Sequence, residues 1–328
     1  MSNPVLSIAL CTYNGARYLE HQLASISSQS IYPDEVVVCD DGSEDGTLDL
    51  LRTFSRTADF PVRVFESDGA RLGSIKNFEK AIGHCRGEVI CLADQDDVWK
   101  PRKLAMLRAT FEKNPEAGYV FSDAELIDDA GSPIGATLWE SVRFQGAILR
   151  NFSKSMQVEA LLRRSAVTGA TMAFRNRLRS IVLPISRYVV HDYWISLLAS
   201  CVGSYGFPVG ESLIQYRQHT GQQIGVRRMS ILEKVKWCRQ VGPNEYNNRT
   251  QGLQDVRDRL LLAAKGGWTF PASHMRLVQE KMEHCSRRAL AHSTRGTVKI
   301  RRVFSEALTG RYARFSNSWQ SLLEDICF

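Results

Sequence analysis

Along the first 125 residues, short apolar runs alternate with segments whose apolar positions recur every three or four residues. Val5–Cys11 (VLSIALC), Glu35–Cys39 (EVVVC), Pro61–Phe65 (PVRVF), Glu88–Ala93 (EVICLA) and Gly118–Ser122 read as strands. Between them, Arg17–Gln29 sets Leu19, Leu23 and Ile26 on one helical face, Thr47–Phe54 reads as helical, and Ser74–Cys85 aligns Ile75, Phe78 and Ile82. Pro101 stands where a first helical residue is expected, ahead of Leu104, Leu107 and Phe111. Apolar strands alternating with amphipathic helices predict an α/β fold with a mostly parallel central sheet flanked by helices. In such sheets ligands gather at the carboxyl ends of the strands.

Residues 124–225 are less regular, with strand patterns at Thr171–Phe174 and Leu213–Arg217 and a helical one at Tyr193–Cys201. Beyond Gly225 the pattern turns helical. Ile231, Val235 and Cys238 share one face, and Ile300, Val303, Phe304, Ala307 and Leu308 share another. The expected division is therefore an α/β domain over residues 1–225 followed by a basic, mostly helical region over residues 226–328.

Charge sharpens that division. The net charge of +7 combines 23 Lys/Arg against 26 Asp/Glu in residues 1–226 with 19 against 9 in residues 227–328. A basic tail could meet nucleic acid, an anionic membrane or a phosphorylated carrier. It lacks interleaved aromatics and any nucleic-acid-binding motif, so no nucleic acid partner is expected. Arg295, Lys299, Arg301, Arg302, Arg311 and Arg314 surround the apolar positions of a helix beginning near Thr297, which is the composition of an interfacial amphipathic helix. The competing reading packs that apolar stripe on the catalytic domain or on a second subunit of a homo-oligomer. No run approaches the ~20 apolar residues of a spanning helix, and the N-terminal apolar run has no basic leader. Eight cysteines are scattered without a CxxC pair. Together these point to a reducing cytoplasm, with peripheral contact at the inner face of the cytoplasmic membrane.

Candidate chemistry lies at the strand ends. There is no G-x-x-x-x-G-K-[ST] loop, no G-x-G-x-x-G after the first strand and no H-E-x-x-H, so ATPase and dinucleotide-oxidoreductase readings lose their usual support. Carboxylates stand there instead: Asp40 and Asp41 after the second strand, and Asp94, Asp96 and Asp97 after the fourth. Three carboxylates in one tetrapeptide repel one another unless solvated or neutralised. Mg2+ or Mn2+ relieves this, taking one or two protein carboxylates and completing its shell with water and substrate phosphates. The alternative is an acidic turn capping the helix after Pro101. Asp40 and Asp41 are either a cap and turn before Gly42-Ser43 or acceptors for a pyrimidine ring N–H. Thr12-Tyr13-Asn14-Gly15 could add a backbone cradle and an aromatic contact to the same base.

Taken in order, strand-TYNG, strand-DDGSEDGT and strand-ADQDDVW resemble the family 2 glycosyltransferases, whose catalytic domain has the GT-A nucleotide-diphospho-sugar transferase fold. CTYNGARYLEHQLASISSQS, EVVVCDDGSEDGT and CLADQDDVWKPRKL are especially similar to bacterial rhamnosyltransferase-type members, which elaborate cell-surface polysaccharides. The resemblance spans roughly 5–225; it implies that residues 1–225 are the catalytic domain, with nucleotide binding from about residues 1–125 and acceptor binding from about residues 126–225. It implies that Thr12, Tyr13, Asn14, Asp40 and Asp41 line the nucleoside pocket, with Arg71 on the donor. Asp94 and Asp96 would form the DxD motif on metal and diphosphate. Val167–Thr171, including Gly169 and Thr171, resembles the loop near the acceptor. His191-Asp192-Tyr193-Trp194 stands where the family has its ED-type motif, making Asp192 the candidate base and His191 a departure from the usual Glu. Tyr216-Arg217-Gln218-His219 resembles the motif that meets the diphosphate, with His219 joining the metal; Trp99 is counted with the diphosphate or acceptor contacts. The implied activity is metal-dependent inverting transfer, with Mn2+ or Mg2+, from dTDP-L-rhamnose or a UDP-sugar to a glycan or lipid-linked acceptor. A sugar nucleotidyltransferase is the rival enzyme, but its Gly-rich basic loop after the first strand matches TYNGARYLE poorly.

Overall fold

Three central strands, β1 (Leu6–Thr12), β2 (Glu35–Asp40) and β4 (Val89–Ala93), are buried along their whole length, as both faces of a helix-covered parallel sheet require. The computed structural model describes residues 4–67, 69–150, 152–222 and 241–327. These form two compact units. Residues up to Leu149, Ala166–Ile185 and those from Ser204 make the first; Arg150–Ser165, Ser186–Gly203 and the residues from 241 onward make the second. Two segments that precede residue 226 thus cluster with the C-terminal helices.

The first unit holds a nine-stranded sheet. Its remaining strands are β3 (Val62–Phe65), β5 (Val98–Trp99), β6 (Tyr119–Ile127), β7 (Pro133–Thr137), β8 (Met172–Arg175) and β9 (Gly206–Arg217). The order is β3-β2-β1-β4-β8-β6-β9-β5, with β7 on β6. β1 pairs in parallel with β2 and β4, and β2 with β3, so the carboxyl ends of the first four strands share one rim. Beyond β4 the sheet is mixed: β8 runs antiparallel to β4 and β6, β9 runs parallel to β6, and β5 runs antiparallel to β9. This last pairing carries the chain after Arg217 to the acidic loop that follows β4.

Four helices cover this sheet: α1 (Ala16–Ser27), α2 (Thr47–Thr57), α3 (Ser74–His84) and α4 (Lys103–Lys113). α1 buries Leu19, Leu23 and Ile26, the face its periodicity predicts. α4 begins two residues after Pro101, because the Pro101 carbonyl is taken by the Ser30 N–H (2.8 Å) while the Lys100 carbonyl accepts from Lys103 (3.0 Å).

In the second unit, Pro243–Lys265 and Ala272–His292 pack against each other, and Gly296–Ala307, Arg311–Phe315 and Trp319–Cys327 close around them. The His191–Cys201 helix packs on Gln157–Arg163 and on Pro243–Lys265. Asp325 is the buried polar centre. It accepts from Arg288 Nε (2.6 Å) and Nη2 (2.7 Å), from His292 Nε2 (3.0 Å) and from the Tyr312 hydroxyl. Of the six tail cations, Arg311 pairs with Glu283 and Glu306, and Arg314 with Glu159 and Glu280. Those two are therefore internal struts. The apolar stripe also divides: Val303 packs with Ala291 and Tyr312, while Ile300, Phe304 and Leu308 stay exposed. The face predicted on Ile231, Val235 and Cys238 lies outside the described residues. The seven described cysteines are free thiols, six of them buried. No described helix is long and apolar enough to cross a membrane.

Candidate active site

The rim of β1, β2 and β4 is tied together by side chains. At the end of β1, Thr12 Oγ1 donates to Asp40 Oδ2 (2.6 Å) across the β1–β2 pair. Asn14 takes a left-handed conformation (φ 46°), which places its backbone N–H on Ser43 Oγ (2.8 Å) and its side-chain oxygen Oδ1 on the Glu44 N–H (2.9 Å). Gln95 closes the ring from β4. Its Oε1 accepts from Tyr13 N (2.8 Å), and its Nε2 donates to Tyr13 O (3.0 Å). The TYNG and DQDD loops are thus held as neighbours by one amide.

Both acidic residues after β2 work from beneath the surface. Asp40 Oδ1 accepts from the Gly42 and Ser43 N–H groups (3.1 and 2.8 Å), and Oδ2 accepts from Ser43 Oγ (2.6 Å) as well as from Thr12. Asp41 accepts from Leu72 N (2.7 Å) and Gly73 N (2.8 Å). To receive a ring N–H, Asp40 would have to give up one of its four bonds, whereas Asp41, with one N–H on each oxygen, keeps acceptor capacity. Asp41 also anchors the segment that carries Arg71, whose guanidinium lies 3.8 Å from the Tyr13 ring centroid, a stacked cation–π contact.

Asp94, Gln95, Asp96 and Asp97 follow β4 directly. Asp96 Oδ2 lies 2.8 Å from His219 Nε2, which arrives from the end of β9. Arg217 fixes this junction from below. Its Nε donates to the Asp96 carbonyl (2.9 Å), its Nη1 to the Asp129 carbonyl (3.0 Å), and its backbone N–H to Asp97 Oδ1 (3.2 Å). The Arg217 guanidinium, expected on the diphosphate, is therefore largely occupied by backbone carbonyls. Tyr18 backs the same cluster, with its ring 4.7 Å from that of His219 and its hydroxyl donating to Asp129. Burial, then the charges of Asp96 and Asp94, push the Asp97 carboxyl well above its ordinary pKa.

Among the described residues, no three His, Cys, Asp or Glu side chains form a ready-made metal cage. Asp96 and His219 present two donors, with Asp94 on the same loop. A cation that keeps water and substrate phosphate oxygens needs only one or two protein ligands, so the pair fits Mg2+ or Mn2+ in that mode.

Trp99 is buried, its indole lies beneath Lys103 (Nζ 3.6 Å from the ring centroid), and its backbone N–H donates to Ser25 Oγ (3.0 Å). Lys103 is itself wholly buried, and burial lowers its pKa to about 7. It donates to Ala170 O (2.7 Å), between Gly169 and Thr171, and so holds the loop assigned to the acceptor side. Thr171 is buried and donates to Thr168 O (2.8 Å).

Asp192 and His191 belong to the second unit, in the first turn of the His191–Cys201 helix, where negative charge is favoured. Asp192 Oδ1 accepts from Tyr193 N (2.6 Å). Burial pushes His191 below its ordinary pKa, opposed by Asp192, so its imidazole is neutral at neutral pH.

Gln95 and Lys103 stand inside the CLADQDDVWKPRKL string without an assigned role, and Asn77 lies outside the quoted motifs. Asn77 Nδ2 donates to Cys39 O (2.8 Å), and Gln95 and Lys103 bond residues 82 and 67 positions away. The one available clue is Gly15. A Cβ there would sit 2.2 Å from Gln95 Oε1, so Gly15 leaves the room that the Gln95 amide fills. Gly15→Ala is expected to push that amide off Tyr13. The amide is the end of a flexible side chain, so folding should survive at a cost of about 1–2 kcal/mol. The donor KM should rise about tenfold while kcat changes little; an unchanged KM would show that the two loops do not depend on this link.

A sheet of this order, with a nucleoside-type loop, an acidic loop and a histidine converging on one rim, is the GT-A glycosyltransferase fold. S. aureus TarS, solved with UDP-GlcNAc, shares it with a TM-score of 0.59 at 17% identity, over 85% of this chain and 72% of that one. Residues 7–159 match the profile of glycosyl transferase family 2. An uncharacterized glycosyltransferase of Nostoc sp. is 31% identical over 38% of this chain and 37% of its own length. Escherichia coli chondroitin synthase is 33% identical over 40% of this chain and 19% of its own. The chain thus spans well under half the length of these two relatives.

Proposed function

We propose that the chain transfers a glycosyl residue from a nucleoside diphosphate sugar to a hydroxyl of a cell-surface glycan or lipid-linked oligosaccharide, with inversion at the anomeric carbon. The observation that carries this reading is the convergence of Tyr13–Arg71, Gln95 and Asp96–His219 on one rim of the parallel half-sheet. The glycan acceptor accords with the family and with the polymer-forming relative. dTDP-L-rhamnose is the favoured donor on the motif resemblance alone, with a UDP-sugar as the other candidate.

In this mechanism Tyr13 and Arg71 form one wall for the nucleoside, and Asp40 and Asp41 keep that wall in place through the backbone they hold. Asp96 and His219, with Asp94 beside them, would hold a divalent cation, which supplies Lewis acidity toward the departing diphosphate. Asp192 takes the proton of the acceptor hydroxyl as its oxygen bonds to C1 and the C1–O bond to the diphosphate breaks. A positioned base contributes about 10²–10⁴-fold.

The test is Asp192→Asn, assayed by nucleoside diphosphate release with acceptor and by thermal shift with a panel of nucleotide sugars. We expect turnover to fall by at least ~10²-fold while the stabilising donor, and the size of its shift, stay the same. Turnover near the parent rate would remove the base assignment. Failure of every nucleotide sugar to stabilise the parent chain, with or without Mn2+, would remove the donor reading altogether.

A further inference from the structure

From residue 284 to residue 305 the chain carries no carboxylate and six Lys/Arg. Arg288 is buried on Asp325. Arg287 is paired with Glu283. The remaining four, Arg295, Lys299, Arg301 and Arg302, enter no ion pair among the described residues. The acidic residue that follows, Glu306, is buried under His284 and Arg311 and offers these cations nothing.

Large apolar side chains stand among the same cations. Leu290 is 51% exposed, Val298 49%, Phe304 52% and Leu308 89%. On the Gly296–Ala307 helix, Val303 faces the core, while Phe304, Leu308, Arg301 and Val298 follow one another around the opposite side at ~100° per residue. Arg287, Leu290, Val298, Arg301, Arg302 and Ser305 line a groove of about 350 Å³ between this helix and the preceding one. Arg302 Nη1 donates to the Leu290 carbonyl (2.8 Å), which fixes one wall.

We infer that this face of the second unit docks on an anionic lipid bilayer, with Val298, Phe304 and Leu308 entering the acyl boundary and Arg295, Arg301 and Arg302 meeting lipid phosphates. Exposed aliphatic and aromatic side chains ringed by unpaired cations are what an interfacial helix presents. A two-fold pairing of the same face would set these cations against one another with no carboxylate in the stretch to neutralise them. Nucleic acid would leave Leu290, Val298 and Leu308 against water or phosphate, with Phe304 as the single ring of this helix on which a base could stack. This inference concerns a surface of the second unit and stands apart from the assignment of donor and acceptor.

Flotation of the full chain with vesicles decides it. The chain should float with phosphatidylglycerol-containing vesicles and stay at the bottom with phosphatidylcholine alone. Arg295→Glu combined with Arg301→Glu should lower partitioning at least ~30-fold, and Phe304→Ser combined with Leu308→Ser about tenfold or more. Both pairs are exposed, and unchanged thermal melts and unchanged donor-induced shifts keep folding and sugar binding out of the result. Failure to float on anionic vesicles, or flotation that neither variant weakens, overturns the inference. A concentration-dependent dimer lost in Phe304→Ser/Leu308→Ser, without flotation, would make the occupant a second copy. Salt-sensitive oligonucleotide binding lost in Arg295→Glu/Arg301→Glu, again without flotation, would make it nucleic acid; either result overturns the inference.

Discussion

Replacing Asp96 by alanine is expected to slow sugar transfer by at least about 10²-fold and to remove its stimulation by Mn2+ or Mg2+. The backbone at this position is held independently of the side chain, because Arg217 Nε bonds the Asp96 carbonyl and Asp97 takes the Arg217 N–H. The loop should therefore keep its path, and the loss should fall on the Asp96 carboxylate, which bonds His219 and is proposed to hold the cation. Two measurements separate the possibilities: nucleoside diphosphate release across a metal titration, and calorimetric titration of Mn2+ into the protein with and without the nucleoside diphosphate. If the variant keeps the parent's metal dependence, Asp96 is no ligand, and the acidic loop is a turn that caps the helix after it.

The second large effect concerns the helical unit. Asp325→Asn is expected to destabilise it by about 3–5 kcal/mol, because Arg288 would be left buried without its counter-charge. Acid should act through the same group. Burial alone would raise the Asp325 pKa, but hydrogen bonds from His292 and Arg288, the Arg288 charge and the Tyr312 hydroxyl hold it well below the ordinary value. A carboxyl depressed in the folded state contributes stability that is fully present above its unfolded pKa of ~3.9 and is lost as pH falls through the folded value. The parent chain's melting temperature should thus drop between pH 5 and pH 3, and the Asn variant, already lower, should drop less. Equal acid sensitivity in the two proteins would show that the buried network does not control acid unfolding.

Much of the sheet was legible because its central strands are buried on both faces. Glu35–Asp40 and Val89–Ala93 differ from the expected runs by one residue at one end, and Leu6–Thr12 by one residue at each end. β6 and β9 extend well beyond theirs, to Ile127 and back to Gly206. Their long parallel pairing, with register shifts around Asp123, satisfies backbone groups that no periodicity marks. Val98–Trp99 and Pro133–Thr137 were not legible as strands: one is two residues long, and the other is largely exposed on the outer side of β6. At the site, the acidic clusters mark loops that the sheet brings to one rim, but the partners of each side chain were not legible. Asp40, Asp41 and Arg217 turn out to hold backbone, and that assignment depends on partners 28 to 121 positions away or on a local turn that any Asp-Gly-Ser could make. In the tail, charge and period found the helix, but Arg311 and Arg314 were indistinguishable from Arg301 until their glutamates were in place.

The two units are interleaved along the chain, and this bears on the order in which they can be completed. Every described strand lies before residue 218, so a ribosome delivers the whole sheet first. Gln157–Arg163 and His191–Cys201 emerge along with it, but they bury Val158, Leu161, Trp194 and Leu197 in the unit that residues 241–327 complete. Until those helices arrive, two apolar segments wait with their greasy sides uncovered, one of them bearing Asp192. A nascent chain stalled near residue 226, or a protease clip there, would therefore yield a finished sheet burdened with sticky, half-dressed helices. Such a fragment is a client for chaperones rather than a free-standing catalytic core.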